Sequence, residues 1–105
     1  MIRVIIESPY AGSAEDNVSY ARSAMLDSLR RGEAPFLSHL LYTQVLNDLM
    51  PEHRAMGIEA GLLWGEVAER TIVCNDLGIS TGMRLGIDAA YQCGRPVVYR
   101  SVKVQ

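Results

Sequence analysis

Thr71-Ile72-Val73-Cys74-Asn75-Asp76-Leu77-Gly78-Ile79-Ser80-Thr81-Gly82 is the stretch from which the fold is read. Residues 71–74 form a short apolar run rich in β-branched side chains, the pattern of a buried strand. The polar loop 75–82 leads into a helix that ends before Gly94, glycine being the residue that most easily leaves a helix. Arg95 to Arg100, with Val97-Val98-Tyr99 at its centre, follows as another strand. Strands that alternate with helices pair in parallel through right-handed crossovers.

The same alternation extends toward the N-terminus. Ile2 to Ile6 predicts a buried strand running into the loop Ser8-Pro9-Tyr10-Ala11-Gly12-Ser13. Ser13 stands three residues before Asp16, a capping signal, and Val18, Ala21, Met25 and Leu29 recur at helical spacing until Gly32. A helix over 14–31 is expected. Ala34-Pro35-Phe36-Leu37 predicts a second strand, left at Ser38-His39 into a short helix with Leu40, Leu41, Val45 and Leu46. Residues 47–51 break it. A longer helix starts near Pro51-Glu52, with Met56, Ala60, Leu63 and Val67 as its expected apolar face. The predicted architecture is an α/β three-layer sandwich of flavodoxin-like type, with a four- to five-stranded, mainly parallel sheet.

A chain of 105 residues supports one core, so residues 1–105 are read as one domain. The formal charge of −2, with both signs mixed along the chain, excludes a protein that grips nucleic acid by neutralising phosphates. The densest basic spot, Arg30-Arg31, complements a helix end. Cys74 and Cys93 lack metal-ligand spacing and read as small buried hydrophobes, so neither a metal site nor any other cofactor is expected. The apolar N-terminal run is too short for a signal segment or a membrane span, and the expected location is the cytoplasm.

In an open parallel sheet, ligands bind beyond the carboxyl ends of the strands. That rule selects Ser8 to Ser13 after strand one, with Ser8, Pro9 and Tyr10 as ligand candidates, Ser38 and His39 with Tyr42-Thr43-Gln44 after strand two, and Asp76 to Gly82 after strand three. Ser80 and Thr81 offer hydroxyls and Gly82 allows close approach at a helix start, which suits a phosphate as well as a simple N-cap. His39 serves either as proton donor or ligand contact or as hydrogen-bonded scaffold, and Tyr10 either stacks on a base or caps the core. Asp76 at a strand exit has two uses, catalysis and chain turning. His53 reads as surface, and Trp64 with the methionines as core or subunit interface.

Taken together, Ser8-Pro9-Tyr10, Ala34-Pro35-Phe36-Leu37-Ser38-His39 and Asp76-Leu77-Gly78-Ile79-Ser80-Thr81-Gly82-Met83 resemble the nucleoside 2-deoxyribosyltransferase-like superfamily. That group includes the 2'-deoxynucleoside 5'-phosphate N-hydrolases and small uncharacterised bacterial and phage proteins. The resemblance adds Met83 to the ligand-binding set and implies a homo-oligomer. It also implies N-glycosidic bond chemistry, in which a glutamate attacks the anomeric carbon of a deoxyribose and a second acid helps the base to leave.

In the family pattern, Ser, any, Gly and three more residues precede that glutamate, followed by Leu or Ile and, three positions further, Ala. Ser80, Gly82, Ile87 and Ala90 match, but Gly86 occupies the glutamate position. Glycine has no side chain to attack with. The aspartate that the N-hydrolases carry on the preceding helix falls at Gly61 or Leu62. The expected function is therefore binding of a nucleotide or nucleotide-derived metabolite without the glutamate's chemistry. The alternative is an N-glycosidase or deoxyribosyltransferase with Glu59, Asp76 or Asp88 as substitute acid. A third reading is an assembly module built on Trp64, Tyr42 and the methionines.

Overall fold

The computed structural model describes residues 1–10 and 14–102, without the side chain of residue 14. In chain order it contains β1 (Ile2–Glu7), α1 (Ala14–Arg30), β2 (Glu33–Phe36), α2 (Ser38–Leu41), a 3-10 turn (Tyr42–Gln44), α3 (Pro51–Gly65), β3 (Arg70–Cys74), α4 (Thr81–Gln92) and β4 (Val97–Arg100). The four strands form one parallel sheet in the order β2-β1-β3-β4. The expected α/β architecture is the one observed. Among the described residues no helix is long and apolar enough to cross a membrane.

Strand periodicity assigns the two faces. Val4 and Ile6 of β1 and Ile72 and Cys74 of β3 pack with Tyr20, Ala21 and Ala24 of α1. The alternate side chains serve the other face, where Val73 packs with Met83 and Ile87 of α4. Glu7 is in register with Val73, so it shares that second face, at the carboxyl end of β1. Gly32 and Gly94 adopt φ of 83° and 74° just beyond α1 and α4, ending both helices in a conformation that other residues rarely accept.

Several local expectations are corrected by tertiary packing. The inward face of α3 is formed by Gly57 and Gly61, with Gly65 behind them, rather than by the expected apolar row. A Cβ on Gly61 would lie 3.0 Å from Ser38 Cβ, and one on Gly57 3.4 Å from Leu46. Met56, Leu63, Trp64 and Val67 are exposed instead. Cys74 is buried, whereas Cys93 is exposed at the end of α4, and both are free thiols. Trp64 lies outside the core, with its ring tilted against Phe36 at 6.0 Å. The short helix starts at Ser38 rather than Leu40, β2 takes in Glu33, and β4 begins only at Val97. The expected cap at Ser13, with the rest of loop 11–13, lies outside the described residues.

Glu33 gives β2 its principal polar anchor. Its carboxylate accepts two hydrogen bonds from Arg100 of β4, at 2.8 and 3.0 Å, and one from Ser28 Oγ of α1 at 2.7 Å. The Arg100 hydrogen bonds hold the Glu33 carboxyl below its ordinary pKa of 4.5. This contribution is full above that ordinary value and disappears as pH falls through the lowered one. Glu33→Ala strands Arg100 and is expected to cost about 3–5 kcal/mol in urea unfolding at pH 7. The difference from wild type should shrink in acid.

Candidate functional site

A cavity of about 600 Å³ opens at the carboxyl edge of the sheet. Its walls come from the β1 exit, α2 with its 3-10 turn, the first half of α3, and the N-terminus of α4. Of the residues selected from sequence, it gathers Ser8, Tyr10, Ser38, His39, Tyr42, Thr43, Ile79, Ser80, Thr81, Gly82 and Met83. Pro9 is buried beside it and does not line it. Asp76 is turned elsewhere: its carboxylate accepts from Tyr20 Oη at 2.6 Å and Val102 N at 2.7 Å, and also from Ser101 Oγ. Glu59 lines a separate shallow groove on the outside of α3, and Asp88 is exposed on α4 away from the cavity wall.

The α4 wall follows directly from local sequence. Ser80 is the N-cap, its Oγ accepting from Met83 N at 3.2 Å while Ser80 N donates to Met83 Sδ at 3.4 Å. The cap uses the serine oxygen as acceptor, which leaves its proton for a ligand. The early amides of α4 and the Thr81 hydroxyl add donors at the positive end of the helix dipole. Arg54 of α3 strengthens that end, because a Cβ on Gly82 would lie 4.0 Å from its Nη2. The other Arg54 nitrogen, Nη1, lies 3.4 Å from Asp48, an ion pair open to solvent.

On the opposite wall, Ser8 Oγ and His39 Nε2 are 2.7 Å apart. Burial pushes the His39 imidazole down to about 4, so it is neutral at physiological pH. Tyr10 packs its ring edge-on against His39 at 6.4 Å and 72°. His53, expected at the surface, lines the cavity and accepts the Asn47 amide on Nδ1 at 2.8 Å.

The base of the cavity holds Glu7, which sequence reasoning took only as the point where the first strand turns polar. Its carboxyl group lies directly against Gly86, and a Cβ on that glycine would overlap it. Desolvation pushes the Glu7 carboxyl up to about 8, against a smaller opposing pull from the Arg95 guanidinium. It is a neutral acid at pH 7. An acid closing a strand of a parallel sheet was the signal available in the sequence. Arg54, Asp48 and His53 carried no such signal, since only the α2–α3 packing turns them inward.

A carboxyl whose folded-state pKa is raised favours the fold below its unfolded value, and stability falls as pH rises from about 4.5 to about 8. Glu7→Gln keeps the shape and removes the ionisation. It is expected to stabilise the protein by on the order of 1–3 kcal/mol at pH 9 and to change little at pH 5, as read by thermal melts at both values.

The arrangement compares with known proteins in three ways. No curated protein matches the sequence. Among solved structures, a 2-deoxyribosyltransferase from the psychrotolerant bacterium Bacillus psychrosaccharolyticus superposes with a TM-score of 0.67 at 20% identity, over 98% of this chain and 76% of that one. That likeness establishes a shared fold. The family model for a domain of unknown function, DUF7768, matches residues 2–100, and the chain belongs to that family.

Proposed function

We propose that the chain binds a nucleotide or nucleotide-derived metabolite in the cavity at the carboxyl ends of the strands. The observation that carries this reading is the joining of two anion-attracting features, the capped N-terminus of α4 and the Arg54 guanidinium, at one wall of a cavity of about 600 Å³. A phosphate there would accept hydrogen bonds from the α4 amides, the Ser80 and Thr81 hydroxyls and Arg54. Tyr10 and the neutral His39 on the facing wall offer flat surfaces for a base, and Ser38 a hydroxyl for the sugar. A cavity of this volume suits a ligand of nucleotide size. The fold shared with a deoxyribosyltransferase supports a nucleoside-type ligand.

The exposed residues Met56, Leu63 and Trp64 of α3, with Val67 just beyond its end, support association of copies of the chain into a homo-oligomer. Light scattering is expected to give a mass above that of the 105-residue chain, and Trp64→Lys to lower it.

Calorimetry with nucleoside 5'-monophosphates, NAD-derived compounds and the matching unphosphorylated nucleosides tests the ligand class. Phosphorylated ligands are expected to bind, with affinity falling as salt rises. Arg54→Met should weaken them by about 10- to 100-fold and leave nucleoside affinity nearly unchanged. Absence of binding across the panel would overturn the reading.

A further inference from the structure

The geometry points to Ser8 and His39 as a nucleophile–base pair that opens a carboxylic ester whose alcohol part carries a phosphate. This inference rests on the nucleotide-binding reading for the seat of that phosphate and goes beyond it in the covalent step.

Ser8 Oγ and His39 Nε2 lie 2.7 Å apart, within reach for a hydroxyl proton to pass to an imidazole. The two residues stand 31 positions apart and come from separate elements, the exit of β1 and the first turn of α2. Both line the cavity. The ring is neutral in the physiological range, so with its proton on Nδ1 it accepts at Nε2. Tyr10 braces the ring edge-on, and Thr43 Oγ1 fixes the backbone behind it by donating to the His39 carbonyl at 2.7 Å. A buried serine needs only one partner, which a backbone carbonyl can supply. A histidine directed at it from another element, on the wall of a cavity, is the arrangement that nucleophilic catalysis requires.

The charges of the cavity select the group attacked. Arg54 is the one arginine or lysine that lines it among the described residues, and it lies against the start of α4, on the wall opposite Ser8. A phosphoryl group at Ser8 would carry its charge away from that cation, so the group opened there is the uncharged carboxylic ester. Glu7 precedes Ser8 in the chain, lines the same cavity and is a neutral acid at pH 7, which makes it the donor available to the carbonyl oxygen as charge develops. A cavity of about 600 Å³ is about 10 Å across. A phosphate held by α4 and Arg54 therefore lies several bonds from the ester. An imidazole that titrates at about 4 is a weak base, which suits an ester with a stabilised leaving group.

In the first step the Ser8 proton passes to His39 Nε2 while Ser8 Oγ bonds to the acyl carbon. The bond from that carbon to the alcohol oxygen breaks, and the oxygen takes the proton from His39. In the second step water oxygen adds to the acyl carbon, its proton passes through His39 Nε2 to Ser8 Oγ, and the bond between Oγ and the acyl carbon breaks. One ester and one water become one carboxylic acid and one phosphate-bearing alcohol, with Ser8 and His39 as they began.

The test incubates the full chain with 4-acetoxyphenyl phosphate and with phenyl acetate, which lacks the phosphate, and follows the released phenol by chromatography. Wild type is expected to hydrolyse both, with kcat/KM at least about 10-fold higher for the phosphate-bearing ester, an advantage lost in Arg54→Met. Ser8→Ala is expected to fall to the uncatalysed rate and His39→Gln to be slower by about 100-fold, with melting temperatures verifying that each variant folds. Diisopropyl fluorophosphate is expected to label wild type at Ser8, located by peptide mass spectrometry, a result that depends on no variant. Hydrolysis undiminished in Ser8→Ala would overturn the assignment, as would wild type that is neither labelled nor active. Nucleotide binding in calorimetry without ester hydrolysis removes this inference alone, whereas equal rates on the two esters remove the phosphate seat that it takes from the binding reading.

Discussion

Parallel pairing of β1 with β3 is the constraint on which the rest depends. Because Glu7 is in register with Val73, the last side chain of β1 points to the same face as the residue that anchors α4. The crossover from β3 then brings α4 back over that face with its N-terminus at the carboxyl edge of the sheet. One topological rule therefore sets a half-buried carboxyl and a dipole-bearing, capped helix start against the same cavity. No loop has to adopt a strained conformation to do it: positive φ among the described residues is confined to glycines.

Against that rigid edge, α3 is an adaptable wall. Its glycine row lets the helix approach Ser38 and Leu46 closely, and this approach carries Arg54 toward Gly82 and His53 toward the cavity. A side chain at Gly61, where a Cβ would already lie 3.0 Å from Ser38, would push the helix outward and separate Arg54 from α4. The exposed apolar row follows from the same choice, because a helix that packs through glycine leaves its large residues on the far side. Close approach and surface stickiness are here two consequences of one sequence pattern.

Where the sequence was legible, the determining information was local. Alternation of strands and helices, the proline at the start of α3 and the Ser80 cap all depend on neighbours within a few residues, and they fixed the architecture and the α4 wall. What escaped depends on partners far along the chain. Asp76 turns away from the cavity because Tyr20, 56 residues earlier, and the segment after β4 claim its carboxylate. The apolar periodicity of α3 pointed to the wrong face because glycine contributes nothing to an apolar count, yet here it makes the contact. Cys93 is exposed for a similar reason, as α4 ends one residue before it and the chain turns at Gly94.

Gly86 shows how an absence in a sequence can carry structural information. Read along the chain, it is a position where the resembling family has a glutamate and this protein has no side chain. Read in three dimensions, it is a volume, and the volume is filled by a carboxyl group from another element. A glycine in the middle of a helix costs about 1 kcal/mol relative to alanine, and burying the Glu7 carboxyl adds a further cost in the same place. Two unfavourable choices that touch each other are hard to explain by folding alone, since substituting both by apolar residues would relieve them together. The two positions are coupled in space, because the side chain that Gly86 lacks leaves the room that the Glu7 carboxyl occupies.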